Sequence, residues 1–186
     1  LWAKPFVKTT WVKGWDKNGR PIVNHDTDAT PKGNIVWPAI GGTNFQAPSY
    51  DQDNKVLYLQ TNEAQGWANS GPAVFERGKL YTARGSVVPP PGPPDKPAIK
   101  AIDTTNGGIL WTTPLAEPSL SAGVLATRGG VVFAATSESQ FMALDSRTGK
   151  PLWHFRTGSR IAASPISYAI DGKQYVAIGA GNTLYT

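Results

Sequence analysis

Eleven residues, Ala101-Ile-Asp-Thr-Thr-Asn-Gly-Gly-Ile-Leu-Trp111, return 42 positions later as Ala143-Leu-Asp-Ser-Arg-Thr-Gly-Lys-Pro-Leu-Trp153. Both copies read A-x-D-x-x-x-G-x-x-x-W. Each part of the motif has a physical task. Alternating apolar residues (Ile99, Ala101 and Phe141, Ala143) write one strand. The Asp accepts hydrogen bonds from turn amides, and the Gly supplies the positive-φ position. The Trp opens the return strand with a ring large enough to cover a neighbouring sheet. A period of about 40–45 residues with one Trp per unit predicts β-propeller blades. Trp111 and Trp153 are read as scaffold in equivalent positions, not as a site.

Composition agrees with many short strands joined by turns: 20 Gly, 16 Pro and 7 Trp in 186 residues. The absence of cysteine excludes disulfides, thiolate metal sites, Cys nucleophiles and covalent c-type haem attachment. No apolar run is long enough for a membrane span. Leu1-Trp-Ala-Lys-Pro5 is not a charged start followed by an apolar core, so no signal peptide is read there. Without an initiator Met, the numbering is read as beginning inside a longer gene product. The net charge of +5 comes from scattered basic residues with no basic–aromatic motif, which speaks against nucleic acid as a partner.

The expected fold is all-β, a partial propeller. Residues 1–23 read as the end of a preceding blade, with Lys4, Lys8, Lys13 and Lys17 on a solvated face. Residues 24–35 read as polar loop, and His25-Asp-Thr-Asp28 lacks further ligands at metal-site spacing. A blade is expected over 37–115, interrupted at 63–96 by an insertion with one strand at Lys79–Ala83 and the polyproline-prone run Val87–Pro94. A second blade spans 120–157, with strands at Gly123–Thr127, Val131–Thr136, Gln140–Asp145 and Leu152–Thr157. An incomplete third spans 162–186, its two strands joined by an Asp171-Gly172 hairpin turn. No nucleophile–base grouping, phosphate loop or dinucleotide fingerprint stands out, and His154 reads as a strand-face residue. From the residues alone the reading ends at part of a propeller, because fold does not give function.

The motifs also carry a family likeness. Gly123-Val-Leu-Ala-Thr-Arg-Gly-Gly-Val-Val-Phe133, Phe141 through Phe155, Ser164-Pro-Ile-Ser-Tyr168 and Asp171 through Ala177 resemble the C-terminal region of the pyrroloquinoline quinone (PQQ) dependent alcohol and methanol dehydrogenases. Gly41-Gly-Thr-Asn-Phe-Gln-Ala-Pro-Ser-Tyr-Asp51 resembles a further segment of that family. The resemblance implies an eight-bladed propeller, of which this chain supplies about three four-stranded blades. It implies PQQ near the axis with Ca²⁺ or a lanthanide, oxidation of an alcohol or sugar to a carbonyl, a cytochrome c acceptor and a periplasmic location. The quinone carries the redox chemistry and the protein orients it.

Carried over residue by residue, the resemblance gives Asn44 as a cofactor contact, with Phe45 standing where many members have Trp. The turn-capping role that Asn favours is the competing reading of Asn44. Ser121 replaces a Trp, Arg128 a small residue, and Glu138-Ser139 a turn that is usually Asp-Gly. The family's metal ligands and catalytic Asp fall before Leu1, so no catalytic or metal residue is assigned. The chain alone is then expected to have no dehydrogenase activity and no strong PQQ site. Its open blade faces await the missing N-terminal blades or self-association. Two other readings stand beside the dehydrogenase: a non-catalytic PQQ-like propeller used as a binding or assembly scaffold, and a relative that has lost cofactor binding, which Phe45 and Ser121 keep open.

Overall fold

A computed structural model of the chain describes residues 2–39, 41–83, 90–116, 122–136 and 138–186. Ser121 and the Val87–Pro89 part of the proline-rich run lie outside them. The chain divides into two compact units, Leu1–Gly42 with Glu63–Asp95, and Thr43–Asn62 with Lys96–Thr186.

In the first unit, β1 (Val12–Trp15) pairs antiparallel with β2 (Pro21–Val23). The Asp16 carboxylate closes their turn by accepting the Asn18 and Arg20 amides. A short 3-10 turn, His25–Thr27, follows, capped by the Asn24 side chain. His25 Nδ1 lies 2.9 Å from Asp28 Oδ2, and both side chains are exposed. β3 (Asn34–Val36) pairs with β6 (Gly66–Ala68). The strand expected at Lys79–Ala83 does not form; the strand of this stretch is β6. Trp67 decides the matter: its indole lies against Gly33, where a Cβ would fall 2.1 Å from the ring. Leu80 is 90% exposed, and among the described residues no strand pairs with it.

The second unit holds three antiparallel sheets. The first orders β4 (Ser49–Asp51), β5 (Val56–Glu63), β7 (Lys96–Asp103) and β8 (Ile109–Pro114) side by side. The second runs β9 (Leu125–Thr127), β10 (Val131–Ala135), β11 (Gln140–Asp145) and β12 (Pro151–Arg156). The third has β13 (Ile166–Ile170), β14 (Lys173–Ala180) and β15 (Thr183–Tyr185). Asp171 and Gly172 join β13 to β14 at φ 50 and 77, the two positive values that a tight hairpin turn of matching twist demands. Ser139 stands at φ 66, where the Gly of the more usual turn would be unstrained.

Strand alternation sorts the second sheet's side chains to two cores. Val132, Ala134, Met142 and Leu144 join Val56, Tyr58, Ile99, Ala101 and Trp111 of the first sheet. Ala135 and Phe141 join Ile161, Ile178 and Ala180 at the third. The two motif copies have the same backbone. Ala101 pairs with Trp111 and Ala143 with Trp153, each followed at once by a bulge. Asp103 and Asp145 each accept turn amides and a Thr hydroxyl, and the Gly at the seventh motif position (Gly107, Gly149) has φ near 70. Those hydrogen bonds hold both carboxyls below the usual carboxylate range, the Thr105 and Thr148 side chains contributing most.

The surroundings of the two indoles differ, contrary to the expectation of full equivalence. Trp111 is 9% exposed. Its Nε1–H donates to Ser146 O at 2.9 Å, and its ring lies where a Gly149 Cβ would be. Trp153 is 49% exposed and rests beside Phe141 and Phe155. Trp111 has the glycine turn of the next sheet to lie on. Residues 157–186 contain no second D-x-x-x-G turn to receive Trp153.

Candidate functional site

The first strands of the sheets converge at their leading ends. Ala47 O accepts the Val124 amide at 2.9 Å, and Ser49 Oγ accepts the Ala126 amide at 2.9 Å, so β4 and β9 are stitched together. Gly123 N–H donates to Ser164 Oγ at 3.1 Å, which brings in the segment ahead of β13. Gly123 is required by this convergence. A Cβ there would lie 2.5 Å from Ser164 Oγ and 2.6 and 2.8 Å from the main chain of Ala47.

Asn44 and Phe45 sit in the loop that enters β4. Both are exposed, Phe45 at 75%. Gln46 is the buried residue of the stretch 44–48, at 7%, and its Oε1 accepts the Asn44 amide at 3.0 Å. Nearby positions on the strands are also neutral and polar. Gln60 is buried and donates from Nε2 to Ala135 O of the second sheet at 3.3 Å, while its Oε1 is buried without a partner. Thr61 donates to Ala98 O. A carboxamide beside an open aromatic face suits a planar polar ligand; nothing in this loop titrates near neutral pH, so proton transfer is not its chemistry.

The opposite end of β4 differs in character. A crevice of about 170 Å³ is lined by Tyr50, Asp51, Asp53, Thr127 and Arg128. Arg128 Nε pairs with Asp53 Oδ2 at 3.1 Å, exposed to solvent, so the Arg of this sequence ties the β4–β5 turn to that after β9. Asn54, first through its side chain and then its amide, holds the Asp51 carboxyl below its usual range. Elsewhere, Gly42 of the Gly41-Gly42 pair is accounted for by packing: its missing Cβ would meet Val7 at 2.5 Å and Phe6 at 2.9 Å. His154 lies on exposed β12. Among the described residues, no three His, Cys, Asp or Glu side chains come together as a metal site.

The family likeness gives Asn44 and Phe45 a site role; Gln46, Gly123 and Ser164 stand in the same family-like segments without one. One signal was available: Ala47-Pro48 and Ser164-Pro165 recur ahead of a first strand. The convergence that makes Gly123 obligatory is tertiary and leaves no local mark.

Successive antiparallel sheets, joined along their first strands and sealed at the outer edge by an indole on the next sheet's glycine turn, define a partial β-propeller. A protein-family model described as "Outer membrane protein assembly factor BamB" matches residues 16–186, and the chain belongs to this PQQ-repeat family. It is homologous over nearly its whole length to quinoprotein alcohol dehydrogenases. Quinoprotein alcohol dehydrogenase PedH of Pseudomonas putida KT2440 is 34% identical over 190 residues, covering 95% of this chain and 31% of PedH. Among solved structures, quinohemoprotein alcohol dehydrogenase ADHIIG from Pseudomonas putida HK5 superimposes with a TM-score of 0.83 at 27% identity, covering 99% of this chain and 29% of that one. A europium-containing methanol dehydrogenase gives 0.81 at 29% identity, covering 94% and 32%. The chain therefore spans about a third of the length of these relatives.

Proposed function

We propose that this chain forms part of the cofactor cavity wall of a PQQ-dependent alcohol dehydrogenase-like quinoprotein, which oxidises an alcohol or sugar to a carbonyl compound. The observation that carries the reading is the loop entering β4, where an exposed carboxamide and an exposed aromatic ring sit at the converging ends of the first strands. Those two residues fit a planar, polar, acceptor-rich group. Asn44 would donate to it from Nδ2, and Phe45 would wall it with an apolar face. When bound, PQQ supplies the two-electron oxidation; the part played by this chain is to bind and orient.

In this reading the remaining blades of an eight-bladed propeller supply the ligands for Ca²⁺ or a lanthanide and the catalytic base. The blades of this chain are 37–115 (with 63–96 inserted), 120–157 and 162–186, after the end of another at 1–23. The setting is periplasmic and the electron acceptor is a cytochrome c.

Asn44→Ala, made in the full-length protein, is expected to weaken PQQ binding by about 0.5–1.5 kcal/mol, the loss of one hydrogen bond. Titration of apoenzyme with PQQ measures it, and unchanged affinity removes Asn44 from the site. The 186-residue chain by itself is expected to self-associate through the open face that bears Leu152, Trp153 and Phe155, which are 58%, 49% and 43% exposed. A concentration-independent monomer mass in light scattering would reject that.

A scaffold without catalysis is the second reading. It is favoured by Gly42, whose lack of a side chain is explained by Val7 and Phe6 and requires no cofactor. PQQ binding by the full-length protein, weakened in Asn44→Ala, separates the two readings.

A further inference from the structure

We infer that Gln46 is the positioning residue of the cofactor-facing loop, holding Asn44 and Phe45 in place for a planar quinone; this rests on the reading of Asn44 proposed above. The loop from Asn44 to Pro48 is exposed at every residue but one. That one is polar. Gln46 is 7% exposed, and a buried carboxamide is retained only where its groups are used. Its Oε1 turns back to accept the Asn44 amide at 3.0 Å, closing the chain on itself across Phe45. The residue after it, Ala47, is fixed from the other side by the Val124 amide at 2.9 Å.

The loop is therefore pinned at two successive residues, by a side chain within it and by a main-chain bond to β9. Between the pinned amide and the pinned carbonyl, Phe45 is 75% exposed, too open for packing alone to orient its ring. Its direction is set by the backbone, and the backbone is set by Gln46. A leucine at 46 would fill similar volume but offer no acceptor; a glutamate would keep an oxygen at the same reach.

The test uses the ¹⁵N-labelled 186-residue chain and two readouts, hydrogen exchange of the Asn44 amide and backbone shifts on titration with PQQ up to millimolar concentration. In Gln46→Leu the Asn44 amide should exchange about two- to tenfold faster, while amides of β10 and β11 keep their protection. The PQQ-induced shifts of residues 44 and 45 should disappear. Gln46→Glu should restore both. Unchanged exchange and unchanged shifts in Gln46→Leu would overturn the inference, as would failure of Gln46→Glu to rescue. If the wild-type chain shows no PQQ-induced shifts at residues 44 and 45 at any concentration, the quinone-directed role of Gln46 falls, while the full-length Asn44→Ala titration decides the cofactor reading of Asn44. Exchange of the Asn44 amide still decides whether Gln46 anchors the loop.

Discussion

Trp111→Ala should lower the unfolding free energy by about 3–5 kcal/mol, the cost of removing a buried Trp, and Trp153→Ala by only about 1 kcal/mol. The two residues share a strand position, a bulge and a sequence motif, so propensity and backbone geometry cancel from the comparison. What remains is the difference in surroundings. Trp111 touches Tyr58 at a ring-centroid distance of 5.8 Å and donates to Ser146 O, which also accepts from the Tyr58 hydroxyl. Removing the indole leaves a cavity between two sheets whose own hydrogen bonds resist collapse into it. The phenol of Tyr58, whose pKa is raised chiefly by desolvation, stays a neutral donor and cannot fill the gap. Urea unfolding of the two variants measures the contrast; equal losses would show that the sheet–sheet contact is not where Trp111 acts.

Gly123→Ala should destabilise by about 1–3 kcal/mol, a large effect for one methyl group. The atoms in its way are the main-chain N and O of Ala47, which can move only if β4 moves and the bond from Val124 to Ala47 breaks. Gly129→Ala is the control. Its added methyl would find only Thr127 Oγ1, at 3.9 Å, and should change stability by no more than about 0.5 kcal/mol. Thermal unfolding of the pair separates a steric requirement from a general cost of replacing glycine. If the two variants melt alike, the leading ends of β4 and β9 do not converge as tightly as described.

Much of this fold was legible because it is written locally. Gln140–Asp145 is a short apolar run, Phe141–Leu144, between two polar ends, and β11 begins and ends where that run does, buried on both faces. Asp171-Gly172 names its own turn type. What failed to show was settled at a distance. Lys79–Ala83 has strand-like residues but forms no ladder among the described residues, Ala83 O accepting only the Gly71 amide at 2.8 Å, whereas Gly66–Ala68 looks too short until Trp67 meets Gly33. The motif placed Trp153 correctly on its strand, yet burial depends on the partner surface, which no residue of the motif encodes. For the candidate site, Asn44 and Phe45 came from family likeness, because a single exposed Asn carries no physical signal of a ligand. Gln46 was invisible for a related reason: nothing in the sequence marks a buried glutamine within a polar loop.

The joint between the first two sheets has one element that its counterpart lacks. Thr113 donates its hydroxyl to Gly149 O at 2.6 Å, two residues beyond Trp111. The position two beyond Trp153 holds Phe155, stacked on that indole at 6.2 Å and meeting Tyr185 edge-on at 5.7 Å. One seam is closed by a threonine hydroxyl on a glycine-turn carbonyl, the other by aromatic rings, with the Tyr185 hydroxyl donating to Thr157 O at 2.7 Å. Near-identical repeats invite mispairing, since any unit can in principle accept any other. Here each seam carries its own address, so a copy of the second sheet exchanged for the first would bring a phenyl ring to a place that needs a donor. The order of the repeats is thereby specified by a residue outside the motif that defines them.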